Sequence, residues 1–279
     1  MHKEELNQKL FKAIKDRKPI SEIEALIKQG ADVNARDNAE QTPIPFRGGT
    51  PLHIAFILSE ERSCTKSFVN IAELLIKHGA DVNALNDRKQ TPLHMIVDDL
   101  YTAELLIAHG ADVNSRDIEG KTPLHHNSFL FEILIKHGAD VNAKDKYGLT
   151  PLHMVYTVDK TEELIAHGAA VNARDNDGRT PLHTIFSCGV AYIFPESILE
   201  VIEIFVAHGA DVNAKDNKGR TPLHMMCEGA YKTKIFENKS GKNTVYRKMV
   251  DTLIAHGADI NAVDNAGNKV SDIVEMLKE

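Results

Sequence analysis

Asp175-Asn176-Asp177-Gly178-Arg179-Thr180-Pro181-Leu182-His183 and, one apolar run later, His208-Gly209-Ala210-Asp211-Val212-Asn213-Ala214 decide the fold, because both stretches recur. Thr-Pro-Leu-His returns six times, starting at Thr50, Thr91, Thr122, Thr150, Thr180 and Thr221. The string Gly-Ala-Asp/Ala-Val/Ile-Asn returns seven times, at Gly30, Gly79, Gly110, Gly138, Gly168, Gly209 and Gly257. Glycine to next threonine is twelve residues in five consecutive units: Gly79 to Thr91, Gly110 to Thr122, Gly138 to Thr150, Gly168 to Thr180 and Gly209 to Thr221. Gly30 to Thr42 is also twelve, but the full Thr-Pro-Leu-His follows eight residues later, which marks an insertion around 43–49. Threonine to the next glycine instead runs 29, 19, 16, 18, 29 and 36 residues. One half of the unit is rigid and must stack in register. The other is elastic, as a loop between helices can be.

Each unit has a physical reading. Thr91 is of the helix N-cap type, and Pro92 stands at the first helical position, where its missing N–H costs nothing. Leu93 points inward. The run Ile71 to His78 has helical spacing, and Gly79 falls just past its end, where a left-handed residue closes the last turn. A polar segment with Asp or Asn and often Gly (Gly120, Gly148, Gly178, Gly219, Gly267) then reads as a tight, hairpin-like turn. The unit is helix–turn–helix–hairpin, and over nearly the whole chain it resembles the ankyrin repeat. That resemblance implies an all-α fold, a solenoid of stacked helix-turn-helix units with hairpin-like fingers. It is expected as one domain over 1–279, with an N-terminal cap at 1–36. Repeats are expected at about 37–86, 87–116, 117–144, 145–174, 175–215 and 216–263, with a C-terminal cap at 264–279.

Departures from the pattern locate what is particular here. A consensus unit has about 33 residues, whereas three units step 31, 28 and 30 between glycines. Unit 117–144 is expected to have a very short first helix, the deletions falling in that helix or in the turn after it. Extra residues lie at 57–68, 187–198 and 228–248. Ser21-Glu22-Ile23-Glu24 reads as a capping box opening the second helix of the N-terminal cap, after the break at Pro19. Val270 to Leu277 reads as one closing helix, since terminal units must end the stack with a polar face.

Composition excludes several functions. The 279 residues carry 33 basic and 40 acidic side chains, a net charge of −7, which argues against a nucleic-acid binder working by bulk electrostatics. No apolar run approaches the roughly 18 residues of a membrane span, and Met1 to Glu5 shows no signal-peptide core. The three cysteines, Cys64, Cys188 and Cys227, are odd in number and far apart. No disulfide framework follows, so a reducing, cytoplasmic location is expected. Of 14 histidines, six belong to Thr-Pro-Leu-His and six precede Gly-Ala, which leaves His2 and His126. Equivalent histidines lie a repeat apart, too far to share a zinc ion with bonds of about 2 Å. Gly120-Lys121-Thr122 ends like a phosphate-binding loop, but Ser115 stands where that motif needs glycine. No catalytic constellation is visible, so no enzyme activity, metal or cofactor is expected.

The finger tips vary in a way that stacking does not require. By the resemblance, finger tips and the exposed face of the first helix form a concave recognition surface. Ile118, Tyr147 and Leu149 would be its apolar centre, flanked by Arg88, Lys121, Lys146, Arg179, Lys218 and Arg220, a pattern typical of hot spots. The competing reading is that turn residues tolerate anything. Met95, Met154 and Met225 share one position after the histidine and read as packing residues. The segment 231–248 holds six basic residues and one acid, with Tyr231, Phe236 and Tyr246 interleaved. It reads either as a docking loop for an acidic peptide, RNA or phosphate, or as a solvated loop. The apolar segment 187–198 either folds onto the array or forms an exposed patch.

A non-catalytic scaffold that binds a protein partner, itself a monomer, is the leading expectation. A second, by resemblance to targets of 2-oxoglutarate-dependent asparaginyl hydroxylases, is modification at Asn83, Asn114, Asn142, Asn172 and Asn213, with Asn34 and Asn261 at matching positions. A third is a host-directed effector of an intracellular bacterium or virus, whose genomes are rich in irregular arrays of this kind, although no secretion signal is visible.

Overall fold

Six short helical turns begin at the proline of Thr-Pro-Leu-His, and the chemistry just before that proline explains why. The Thr91 amide and hydroxyl converge on Nδ1 of His94, at 3.1 and 2.9 Å. The arrangement repeats at Thr50–His53, Thr122–His125, Thr150–His153, Thr180–His183 and Thr221–His224. Histidine thus plays the part that Glu or Gln takes in a capping box. An amide can only donate, so Nδ1 must carry a lone pair and Nε2 the proton. Nε2–H in turn donates to a carbonyl of the next repeat: Gln90 from His53, Lys121 from His94, Arg179 from His153, Arg220 from His183. The leucine of each motif is almost fully buried. One tetrapeptide therefore starts a helix, fills the core and ties two repeats together.

This computed structural model describes residues 2–37, 47–57, 65–96, 99–126, 129–187, 195–232 and 242–271. They group into two compact units, Met1–Asp140 and Val141–Glu279. In the first unit, α1 (Lys3–Lys15) packs on α2 (Ile20–Lys28) and α3 (Pro51–Ile57), followed by α4 (Thr65–Lys77), a 3₁₀ turn Pro92–Met95, α5 (Leu100–Ala108), α6 (Pro123–His126) and α7 (Phe131–Lys136). The second unit opens with a 3₁₀ turn Pro151–His153, then α8 (Val158–Ala166), α9 (Pro181–Ser187), α10 (Pro195–Ala207), α11 (Pro222–Lys232) and α12 (Lys242–Ala255). First helices stack on first helices, as α9 on α11, and second on second, as α8 on α10 and α10 on α12. The second helices end alike. Gly79, at φ +85°, donates to the Ile76 carbonyl, and Ala80 donates to that of Leu75, a left-handed closure that a Cβ would strain. The histidine before the glycine supports the same end: Nδ1–H of His109, His167, His208 and His256 donates to the carbonyl four residues back, each at 2.8 Å.

Several expectations need correction. Helix α2 starts at Ile20, with Pro19 as N-cap and no side-chain cap bond, so Ser21 lies inside the first turn rather than opening it. The very short first helix expected in unit 117–144 is present, and the 145–174 repeat has one too, the single 3₁₀ turn Pro151–His153. In unit 117–144 the first helix, α6, has four residues, and the second is shortened too, because α7 spans only six. The missing residues are thus removed partly from the start of the second helix. The long 228–248 segment begins and ends as extensions of α11 and α12. Tyr246 is fully buried in α12, so it is a core residue and not a displayed aromatic. Likewise Ile198 lies buried in α10. Met225 is buried, while Met95 and Met154 are half-buried, as packing residues are. Residues 38–46, 58–64, 188–194, 233–241 and 272–279 lie outside the described residues. With them go most of the 43–49 insertion, Phe236, Cys64, Cys188 and most of the expected closing helix.

Candidate functional site: the fingers

A finger is built by one acidic side chain folding the backbone around itself. Oδ1 of Asp175 accepts from the amides of Asp177 and Arg179, at 2.9 and 2.8 Å. The Asp175 amide donates to the Arg179 carbonyl, closing the turn. Gly178, at φ +75°, lets the chain reverse. An ideal Cβ there would lie 2.5 Å from Oδ1 of Asn217 in the next finger, so glycine is also required for close approach. Asp117, Asp145, Asp216 and Asp264 build the same turn, and Asn86 does so with its carboxamide oxygen.

Successive fingers are stitched together. In the second unit, the amides of Asn176, Asn217 and Asn265 donate to the carbonyls of Tyr147, Asp177 and Lys218, each at 2.9 Å. Their carboxamide nitrogens donate to the carbonyls of Lys146, Asn176 and Asn217. In the first unit, the Ile118 amide donates to the Arg88 carbonyl at 2.8 Å. The finger tips are thus loops on a hydrogen-bonded frame, which is how loops come to present side chains reproducibly.

On this frame Ile118 is 55 % exposed and Tyr147 50 %, both large apolar surfaces, with Leu149 half-buried in the same finger as Tyr147. The Lys146 ammonium lies 4.9 Å from the centre of the Tyr147 ring, a cation–π contact. Lys218 is exposed and Arg88 partly so. The other three cations of the expected set are engaged within the chain. Arg179 pairs with Asp175 through Nε and Nη2, both at 2.8 Å, and with Asp177. Arg220 pairs with Asp216 and Glu228, and Lys121 with Glu119. Sequence reading passed over further exposed apolar side chains, including Leu85, Leu100, Tyr101 and Phe129. Leu85, next to finger residue Asn86, stands where Arg36, Arg116, Lys144, Arg174 and Lys215 stand before other fingers, and that contrast was legible.

The repeat asparagines form a second ladder. Nδ2 of Asn83 donates to the Gly110 carbonyl at 2.8 Å, and its Oδ1 accepts from the Asp112 amide at 2.8 Å. Asn114, Asn142, Asn172 and Asn213 repeat this clamp on the next unit. Each carboxamide is therefore used at both ends, so these residues hold neighbouring repeats together.

Elsewhere, a groove of about 650 Å³ runs between α10 and α12, with Glu203, Lys248, Asp251 and His256 among its walls. Its charges are of both signs, and its His256 holds the end of α12. Among the described residues no three metal-ligating side chains converge, and no helix is long and apolar enough to cross a membrane.

Comparison with known proteins agrees with this construction. The family described as "Ankyrin repeats (3 copies)" matches residues 62–129, 126–216 and 163–269. Among solved structures, the chain is similar to the ankyrin repeat domain of Bcl-3, a unique member of the IkappaB protein family, at 23 % identity and a TM-score of 0.57, over 83 % of this chain and 99 % of that one. At that identity the likeness speaks for the fold alone. No curated protein matches the chain in sequence. Capped helical hairpins, their fingers and a family match spanning most of the sequence together make this chain a member of the ankyrin repeat family.

Proposed function

We propose that the chain is a non-catalytic docking module that holds a protein partner on its finger tips. Ankyrin repeats generally mediate protein–protein interaction, and the observation that favours these particular residues is the half-exposed Tyr147. A large apolar ring in water is costly to display, yet here it sits on a finger pinned by backbone and asparagine bonds. Rigid aromatic anchors of this sort lose little entropy on binding and dominate interfaces. In the second unit Tyr147, Leu149, Lys146 and Lys218 are the contact residues. In the first unit Ile118 and Arg88 play the corresponding part. Arg179, Arg220 and Lys121, being tied to carboxylates, shape the frame and present their edges.

The test is a comparative pull-down with the wild-type chain and the double variant Tyr147→Ala, Leu149→Ala, read by mass spectrometry, with circular dichroism to confirm unchanged helicity. Loss of specific partners is expected. An identical partner set on a variant of intact helicity would overturn this placement of the site.

A further inference from the structure

The second carboxylate oxygen of the finger acids tells one finger from the rest. Oδ1 is occupied by the turn itself, so Oδ2 needs a separate donor. Among the described residues, Asp117 takes His126, Asp175 takes Arg179, Asp216 takes Arg220 and Asp264 takes Asn268, while Oδ2 of Asp37, at the matching place in the sequence, takes Lys15. Asp145 takes nothing. Its Oδ2 is buried without a hydrogen-bond partner, in a residue only 6 % exposed. The cause is one position: four residues after the acid, where the next two fingers carry Arg179 and Arg220, this one carries Leu149.

A buried, unpaired carboxylate oxygen is expensive, and unsatisfied groups of this kind call for a reason. The chain twice uses the remedy, an arginine that forks onto the acid. It forgoes that remedy at the finger that also displays the half-exposed Tyr147. Of the two lysines that flank it in sequence, Lys144 donates to the Arg174 carbonyl and Lys146 sits over the tyrosine ring.

From these juxtapositions we infer that the 145–149 finger is a receptor for a basic side chain, arginine above all, carried by the partner protein beside an apolar residue. This rests on the docking reading and names the chemistry it selects. The guanidinium reaches Asp145 Oδ2 as Leu149 turns to another rotamer, making from outside the pair that Arg179 and Arg220 make from within. The apolar neighbour covers Tyr147. Arginine suits the position because its planar fork both pairs with carboxylate and stacks on an aromatic ring, and it sheds water more readily than an ammonium. The net charge of −7 favours approach of a basic segment.

The experiment uses the full chain and a displayed library of random peptides, followed by fluorescence polarisation of the enriched peptides against Asp145→Asn, Leu149→Arg and Tyr147→Ala. Asp145→Asn is expected to fold, because Asn86 builds its own finger with the same carboxamide oxygen, accepting from the amides of Arg88 and Gln90. Expected are peptides sharing an arginine or lysine next to an apolar residue. Their affinity should fall about tenfold or more in all three variants. Leu149→Arg should also raise the melting temperature, by supplying the donor from within the chain. Peptides lacking a basic residue, or peptides weakened by Tyr147→Ala but indifferent to Asp145→Asn, would overturn the inference and leave the docking reading standing. An Oδ2 satisfied by water alone would give that second result. No enriched peptide, or peptides indifferent to all three variants, would overturn both.

Discussion

Acidification should loosen this protein, and the buried histidines set the pH at which that begins. His53 and His94 accept an amide on Nδ1 and donate to a neighbouring repeat from Nε2, so only the neutral ring fits. Burial pushes each pKa from 6.5 down to about 4, against the pull of the carbonyl bonds to Gln90 and Lys121. In the unfolded chain the same rings protonate near 6.5, so below that pH the unfolded state binds the extra protons and stability falls. The loss begins as pH drops through about 6.5 and saturates near 4; it amounts to about 2 kcal/mol per histidine at pH 5 and about 3 kcal/mol when complete. Two such residues in one unit give about 4 kcal/mol at pH 5, a large part of a total stability of roughly 5–15 kcal/mol. His153 and His183 are shifted in the same direction by burial. Asp117 and Asp216 are held below the usual carboxylate value of 3.8, despite their burial, by hydrogen bonds from His126 and from the Arg220 backbone, so their stabilising effect is lost only at still lower pH. Urea unfolding followed by circular dichroism at pH 7.5, 6.5, 5.5 and 5.0 in constant salt (the pH values chosen to bracket about 6.5) should show midpoints falling with pH. His94→Gln should flatten the slope by about 1 kcal/mol per pH unit. Stability that stays level between pH 7 and 5, or a slope untouched by His94→Gln, would refute the reasoning.

Three further outcomes are expected. Gly168→Ala, at φ +87° with open space around the new methyl, should cost about 1 kcal/mol of stability, while Gly178→Ala, which also drives a methyl into Asn217, should cost about 2–3 kcal/mol; equal urea midpoints would argue against the finger contact. Asn172→Ala breaks bonds to the Gly209 carbonyl and the Asp211 amide and should cost about 1–2 kcal/mol. Asn261→Ala should be close to neutral, because among the described residues its carboxamide makes no bond to another repeat, and a comparable loss there would show the ladder to be unimportant. Burial pushes the Cys227 thiol up to about 12, so in a Cys64→Ser, Cys188→Ser background it should resist thiol reagents until the chain unfolds. Rapid labelling of the native protein would contradict that placement.

Much of this was legible in the residues alone. Thr-Pro-Leu-His, the glycine twelve residues before it and the finger acid are local devices, each satisfied within a few positions, so their spacing announces the unit and its stacking. The same locality made Tyr147 and Ile118 recognisable as tip residues. Legibility failed where the spacing is elastic: the truncation of unit 117–144 was shared between two helices, and Tyr246 turned inward from a segment whose composition looked solvated. Equally, the cations flanking the expected patch could not be sorted from sequence into those displayed and those held by carboxylates.

Sequence by itself determined the repeat, its register and the threonine–histidine caps, because each cap joins residues three apart in every unit. Only the tertiary structure decided the ladder bonds between repeats and those finger acids that are completed from outside their own finger. Lys15 reaches Asp37 across 22 residues, His126 reaches Asp117 across nine, and among the described residues no donor reaches Asp145 Oδ2. Such pairings depend on distance in space and on the low dielectric of a buried site, and neither is written in the spacing of residues along a chain.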